Sequence, residues 1–123
     1  MDFTVHASLA ASDIDRARAW YSEKLGLEPF EEGPGGVLRY KAGETQFGIY
    51  PSAFAGTNQA TAAFIVFNDF DTAFAELSSR GVTFEDYDFG DDFRTVDGVM
   101  EAPEGKAAWF KDSEGNILGI ATM

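Results

Sequence analysis

The sequence predicts an α+β fold: two βαβββ modules whose curled mixed β-sheets surround a central cavity, with the helices on the outside. Three observations predict it. The phrase DIDRARA at residues 13–19 returns as DFDTAFA at residues 69–75, 56 residues further on. A strand-like stretch precedes each copy. Three more strand-like stretches, separated by turn residues, follow each copy. A self-similar segment at a fixed offset is the mark of a duplicated structural unit. The modules run over residues 1–52 and 61–123 of a single domain, and Ser52 to Ala60 has the composition of a linker.

The first strand of each module is FTVHASLA from Phe3 and TAAFIVFN from Thr61. In the former, Phe3, Val5, Ala7 and Leu9 alternate with Thr4, His6, Ser8 and Ala10, the period-two pattern of a strand with one apolar face. The apolar row is expected to meet the helix, which leaves His6 pointing away from it. The helices follow. Ile14, Ala17, Tyr21 and Leu25 form one stripe at three- and four-residue steps; Phe70, Ala73, Phe74 and Leu77 form the other. Ser12 and Asn68 stand where N-caps are expected, and acids follow in each first turn. Gly26 and Gly81 supply left-handed stops.

Three strands are then expected near residues 28–31, 36–42 and 45–50, with EGPGG and AGE as the reversals. Their counterparts are expected near 83–89, 106–111 and 117–122, with DSEGN as the last turn. TVDGVMEAPEGK reads as a loop. One helix cannot cover both faces of a four-stranded sheet, so the second face is expected to enclose the cavity.

Composition narrows the function. The chain has 123 residues, 45% apolar content and twelve Phe, enough for a working core. It has no cysteine, so disulfides, thiolate metal sites and cysteine nucleophiles are excluded. No basic leader and no apolar run of spanning length stand out, and a cytoplasmic protein is expected. With 21 acids against 9 bases the formal charge is −12, which repels phosphate backbones and anionic lipid. No nucleic-acid or membrane partner is therefore expected. The same charge keeps a protein soluble and attracts a cationic small molecule. EEGPGG lacks the lysine of a phosphate-binding loop. EDYDFGDDF, Glu85 to Phe93, reads either as an exposed strand with solvated charges or as a rim for a cationic or aromatic ligand.

HASLAASDIDRARAWYSEKLGLEPFE near the start and AAWFKDSEGNILGIATM at the end resemble the vicinal oxygen chelate superfamily, which holds glyoxalase I, extradiol dioxygenases, and bleomycin and fosfomycin resistance proteins. The likeness covers essentially the whole chain. It implies a homodimer and a small-molecule ligand. In metal-dependent members, four side chains from the first and fourth strands of each module hold one divalent ion. Here His6 stands on the first position, its mate 56 residues on is Ala62, and the glutamate positions match Gly48 and Gly119. A one-residue slip offers only Ile49 or Ile120. One donor where three or four are needed implies no bound metal and no cofactor.

The candidate catalytic residue is His6, the only histidine, whose imidazole titrates near neutrality. It reads equally as a vestige of a lost metal site. Candidate ligand-binding residues are His6, Phe47, Tyr50, Phe64 and Trp109, apolar bodies with donors on Tyr50 and Trp109. Most aromatics in a domain of this size are core, and for each of these core is the favoured reading. The expected function is binding of a small aromatic or cationic organic molecule without catalysis. The alternative is a metal-independent lyase or isomerase that uses His6 as acid or base. A metal-dependent glyoxalase or dioxygenase is a third reading, which the ligand count opposes.

Overall fold

Asp13 and Asp69 start the two helices. Each side chain accepts the backbone N–H three residues on, Asp13 from Arg16 at 3.0 Å and Asp69 from Thr72 at 3.1 Å, in extended backbone at the cap. Such an acceptor satisfies one orphan donor of the first turn. The expected caps, Ser12 and Asn68, therefore fall one residue too early. Ser12 is engaged elsewhere: its hydroxyl donates to Glu114.

A computed structural model describes residues 1–122. In chain order it contains β1 (Ala7–Ala11), α1 (Ile14–Trp20), β2 (Glu31–Glu32), β3 (Leu38–Ala42) and β4 (Thr45–Pro51). There follow β5 (Thr61–Val66), α2 (Phe70–Ser79), β6 (Met100–Ala102), β7 (Gly105–Lys111) and β8 (Ile117–Ala121). Helix α1 continues through a π-helical turn, Tyr21–Leu25, and ends at Gly26 with φ 67°. The chain divides into two compact units, one of residues 1–59 with 112–116 and one of residues 60–111 with 117–123. Each holds a four-stranded mixed sheet and one helix, the expected α+β fold.

In the first unit the strand order is β1-β4-β3-β2, with β1 parallel to β4 and the other pairs antiparallel. Leu9, Leu38 and Ile49 sit in register and are buried with Ala17 and Tyr21 of the helix. Tyr40 stacks on Phe47 with centroids 4.9 Å apart, and Tyr21 lies within 5.9 Å of Tyr40. The first strand is shorter than expected. It begins at Ala7, and Phe3 and Val5, placed by their alternation on the core face, are exposed instead. Alternation alone gave them a face. It could not show that pairing with β4 begins only at Ala7, opposite Phe47.

The second unit repeats the order as β5-β8-β7-β6. Ala108, Phe110, Leu118 and Ile120 are buried on its helix side, where Phe74, Phe84 and Phe110 form a chain of ring contacts. Here the expected strand at 83–89 is replaced by isolated bridges, and β6, the first strand after the helix in this unit, arises inside the stretch read as a loop. The cause is local hydrogen bonding. Thr95 N–H donates to the Tyr87 carbonyl, while the Asp86 carboxylate accepts from Thr95 Oγ1 and from Gly98 N–H. Residues 86–98 thereby satisfy one another and leave only Phe84 and Glu85 to pair with β7.

The DSEGN turn, Asp112 to Asn116, is the polar keystone of the first unit. Glu114, buried with a side chain 0% exposed, accepts from Arg16 Nε at 2.8 Å, Asp13 N–H at 3.0 Å, Ser12 Oγ and Ser113 Oγ. Asp112 accepts the buried Tyr21 hydroxyl at 2.6 Å and two backbone N–H groups of its own turn. A buried carboxylate is tolerable only when its lone pairs are filled in this way. Burial alone raises the Glu114 pKa, but the bonds from Arg16, Asp13 N–H and Ser113 outweigh it and hold the group down at about 2. A depressed carboxylate adds stability above its unfolded pKa and loses it as pH falls through the folded one. We expect Glu114→Gln to cost about 2 kcal/mol at pH 7, trimmed by the half-exposed Arg16. Urea denaturation should find the gap between wild type and variant closing from pH 5 towards pH 2. A gap that stays constant over that window contradicts the assignment.

Candidate functional site

The pleat decides what the second face of each sheet offers. In the first unit Leu9, Leu38 and Ile49 turn to the helix, so their neighbours Ser8, Arg39 and Gly48, which are also in register, turn the other way. Around them lies a concave site of about 560 Å³. His6, Ala7 and Ser8 line it from β1 and the residue before it; Val37 and Arg39 line it from β3; Gln46, Phe47, Gly48 and Tyr50 line it from β4. A cavity of this size suits a small organic molecule.

The space over Gly48 is open. A Cβ built there meets only Leu38 O at 3.6 Å and Val37 Cγ1 at 3.8 Å, ordinary contacts, so nothing stands above it. The second unit repeats the three-strand arrangement with different residues. Phe64, Gly119 and Trp109 stand in register across β5, β8 and β7, where Ser8, Gly48 and Arg39 stand in the first. The Phe64 ring lies on Gly119, so close that a Cβ would come within 2.3 Å of Cε1. It meets Trp109 edge-on with centroids 6.0 Å apart. Tyr87, Phe93 and Met100 pack on Trp109 and its neighbours, and Trp109 is 3% exposed. One sheet face is open; its counterpart is filled with rings.

The structure thus brings His6, Phe47 and Tyr50 together in the first unit and puts Phe64 and Trp109 together in the second. His6 is exposed, with Thr4 Oγ1 at 3.5 Å from Nε2. Phe47 reaches the site at its margin while its ring stacks on Tyr40. Tyr50 is 40% exposed on the open face. Sequence reasoning missed Ser8, Arg39 and Gln46. The signal for Ser8 was its phase with His6. Arg39 and Gln46 needed the pairing register of β3 and β4, which places Arg39 opposite Gly48.

The superfamily's metal does not fit these residues. At the four positions stand His6, Ala62, Gly48 and Gly119; the first unit adds a guanidinium, and a phenyl ring covers Gly119. Divalent ions require several oxygen, nitrogen or thiolate donors converging on one point. Among the described residues no group of three or more His, Cys, Asp or Glu is placed to hold one. No described helix is long and apolar enough to cross a membrane.

The family model of the Glyoxalase/Bleomycin resistance protein/Dioxygenase superfamily matches residues 4–119. No curated protein matches the chain in sequence. Among solved structures it resembles UcmS2, at 18% identity over 100% of both chains with a TM-score of 0.79. It also resembles a bleomycin-binding protein solved with bleomycin, at 14% identity over 99% of both chains and TM-score 0.72. A third is TnmS3, an antibiotic-binding protein from Streptomyces sp. CB03234, at 22% identity over 99% of this chain and 98% of that one, TM-score 0.67. The chain belongs to this superfamily; the structural likenesses at such identities carry the fold alone.

The contrast between the two glycines is testable. Gly48→Ala should be neutral or stabilise by up to about 1 kcal/mol, since the space is free and the unfolded chain loses freedom. Gly119→Ala should cost about 1–2 kcal/mol, because Phe64 must leave its place. Urea denaturation with tryptophan fluorescence measures both. Equal costs at the two positions contradict the open-and-filled description.

Proposed function

As a member of that superfamily, we propose, the chain is a small-molecule binding protein that holds an aromatic-bearing organic ligand on the open face of its first unit, without a metal. The observation that carries this reading is the 560 Å³ concavity over Gly48, lined by the apolar surfaces of Val37, Phe47 and Tyr50 and by the polar groups of Ser8, Arg39 and Gln46. Apolar walls with a few convergent polar groups are what ligand pockets are built from. Two structural relatives whose names record antibiotic or bleomycin binding support the same class. His6 lines the same site as an exposed hydrogen-bonding group, with Thr4 Oγ1 3.5 Å from its Nε2. The reading takes the protein as a homodimer, which the family resemblance implies, and as cytoplasmic.

Isothermal titration and thermal shift against a panel of aromatic metabolites test it. A true ligand at a hundredfold excess over Kd stabilises the folded state by about 2.7 kcal/mol, which should raise Tm by about 5–10 °C. Elemental analysis of the same sample should find less than a tenth of an equivalent of Ni, Zn, Fe or Mn. Absent heats with an unmoved Tm, or one equivalent of metal per chain, overturn the reading.

A further inference from the structure

We infer that the ligand of the open face carries an anionic group, a carboxylate or an equivalent planar oxyanion, and that Arg39 binds it. The inference rests on the small-molecule reading above and specifies its chemistry. It runs against the net charge of −12, which favours cations at long range. What matters inside a cleft is the charge on its own walls. Of the residues that line this one, Arg39 is the only residue with a permanent charge, and none is an acid.

Arg39 is also held in place for the task. On β3 it stands directly opposite Gly48 on one side and Glu31 on the other. Its NH1 donates to Glu31 at the outer edge of the sheet. No protein acceptor takes Nε or NH2 among the described residues. The guanidinium lies flat across Gly33, where a Cβ would come within 2.6 Å of NH1 and 3.1 Å of NH2, so the backbone there is bare to admit it. An arginine anchored by one amino group and open on the remaining edge offers the planar two-donor fork that matches a carboxylate. Lys41, next on the same face of β3, adds a second positive charge and lies over the Phe30 ring at 4.7 Å. Across the cleft, Ser8, Gln46 and Tyr50 offer hydroxyl and amide donors that no other protein group engages among the described residues. The anion would sit over Gly48, with the ring of the ligand against Tyr50 and Val37.

Three probes of one shape and different charge separate the possibilities: 2-naphthoate, 2-naphthalenemethanol and 2-naphthylmethylamine. Each is titrated into 15N-labelled full-length protein, with amide shifts of residues 6–8, 37–39 and 46–50 as the readout. The expected result is shifts in those residues, with naphthoate binding about tenfold tighter than the alcohol and the amine weakest. Arg39→Gln should bring naphthoate down to the affinity of the alcohol. Arg39→Lys, which keeps the charge and loses the fork, should fall between, and it serves if the glutamine variant does not fold. Equal or tighter binding of the alcohol or amine at these same residues overturns the anion inference and leaves the binding function standing. Naphthoate preference that survives Arg39→Gln overturns the role of Arg39. No shifts there with any probe at millimolar concentration overturns both readings.

Discussion

A pleated sheet sends successive side chains to opposite faces, and a slip of one residue exchanges the faces entirely. Everything distinctive about this chain depends on that constraint. Leu9, Leu38 and Ile49 must be buried against the helix, so Ser8, Arg39 and Gly48 have no choice of direction. The register that buries the core of the first unit is therefore the register that assembles its open face. The second unit obeys the same constraint with Phe64, Trp109 and Gly119, and ends with a filled face. The duplicated frameworks differ on these faces at two of the three aligned positions, Ser8 against Phe64 and Arg39 against Trp109, with glycine at the third in both.

Helix α1 and the DSEGN turn hold the first register. Tyr21 buries its ring beside Tyr40 while its hydroxyl, pushed well above the ordinary tyrosine pKa by burial and by Asp112, stays a donor to that carboxylate. Glu114 ties Ser12 and Asp13 of the cap to Arg16 of the helix. These polar groups are satisfied internally, so they fix positions in a way that dispersive packing alone does not. Among the described residues the buried Tyr40 hydroxyl finds no partner, a local cost set against the stacking of its ring on Phe47.

Much of this was legible before any coordinates. The repeat at Asp13 and Asp69 gave two modules, and the stripes Ile14–Leu25 and Phe70–Leu77 gave the helices, because three- and four-residue periodicity survives any tertiary context. The pairing of Gly48 with Gly119 came from aligning the fourth strands, and the register confirms that the two are equivalent. The rest required partners that one strand cannot reveal. Phe3 and Val5 alternate like core residues but have no strand beside them. Residues 83–89 alternate like a strand, yet Asp86 and Thr95 fold that stretch onto itself. Nothing in the sequence marks Arg39; only the pairing of β3 with β4 places it opposite Gly48.

The central claim is that Ser8 rather than a ring at this position leaves the first face free for a ligand. Ser8→Phe copies the second unit into the first, and binding of 2-naphthoate to this variant, followed by amide shifts beside its thermal unfolding, tests the claim most directly. The account predicts a Tm within a few degrees of wild type and loss of binding, with the new ring over Gly48. A variant that stays folded and binds naphthoate as the wild type does would contradict it.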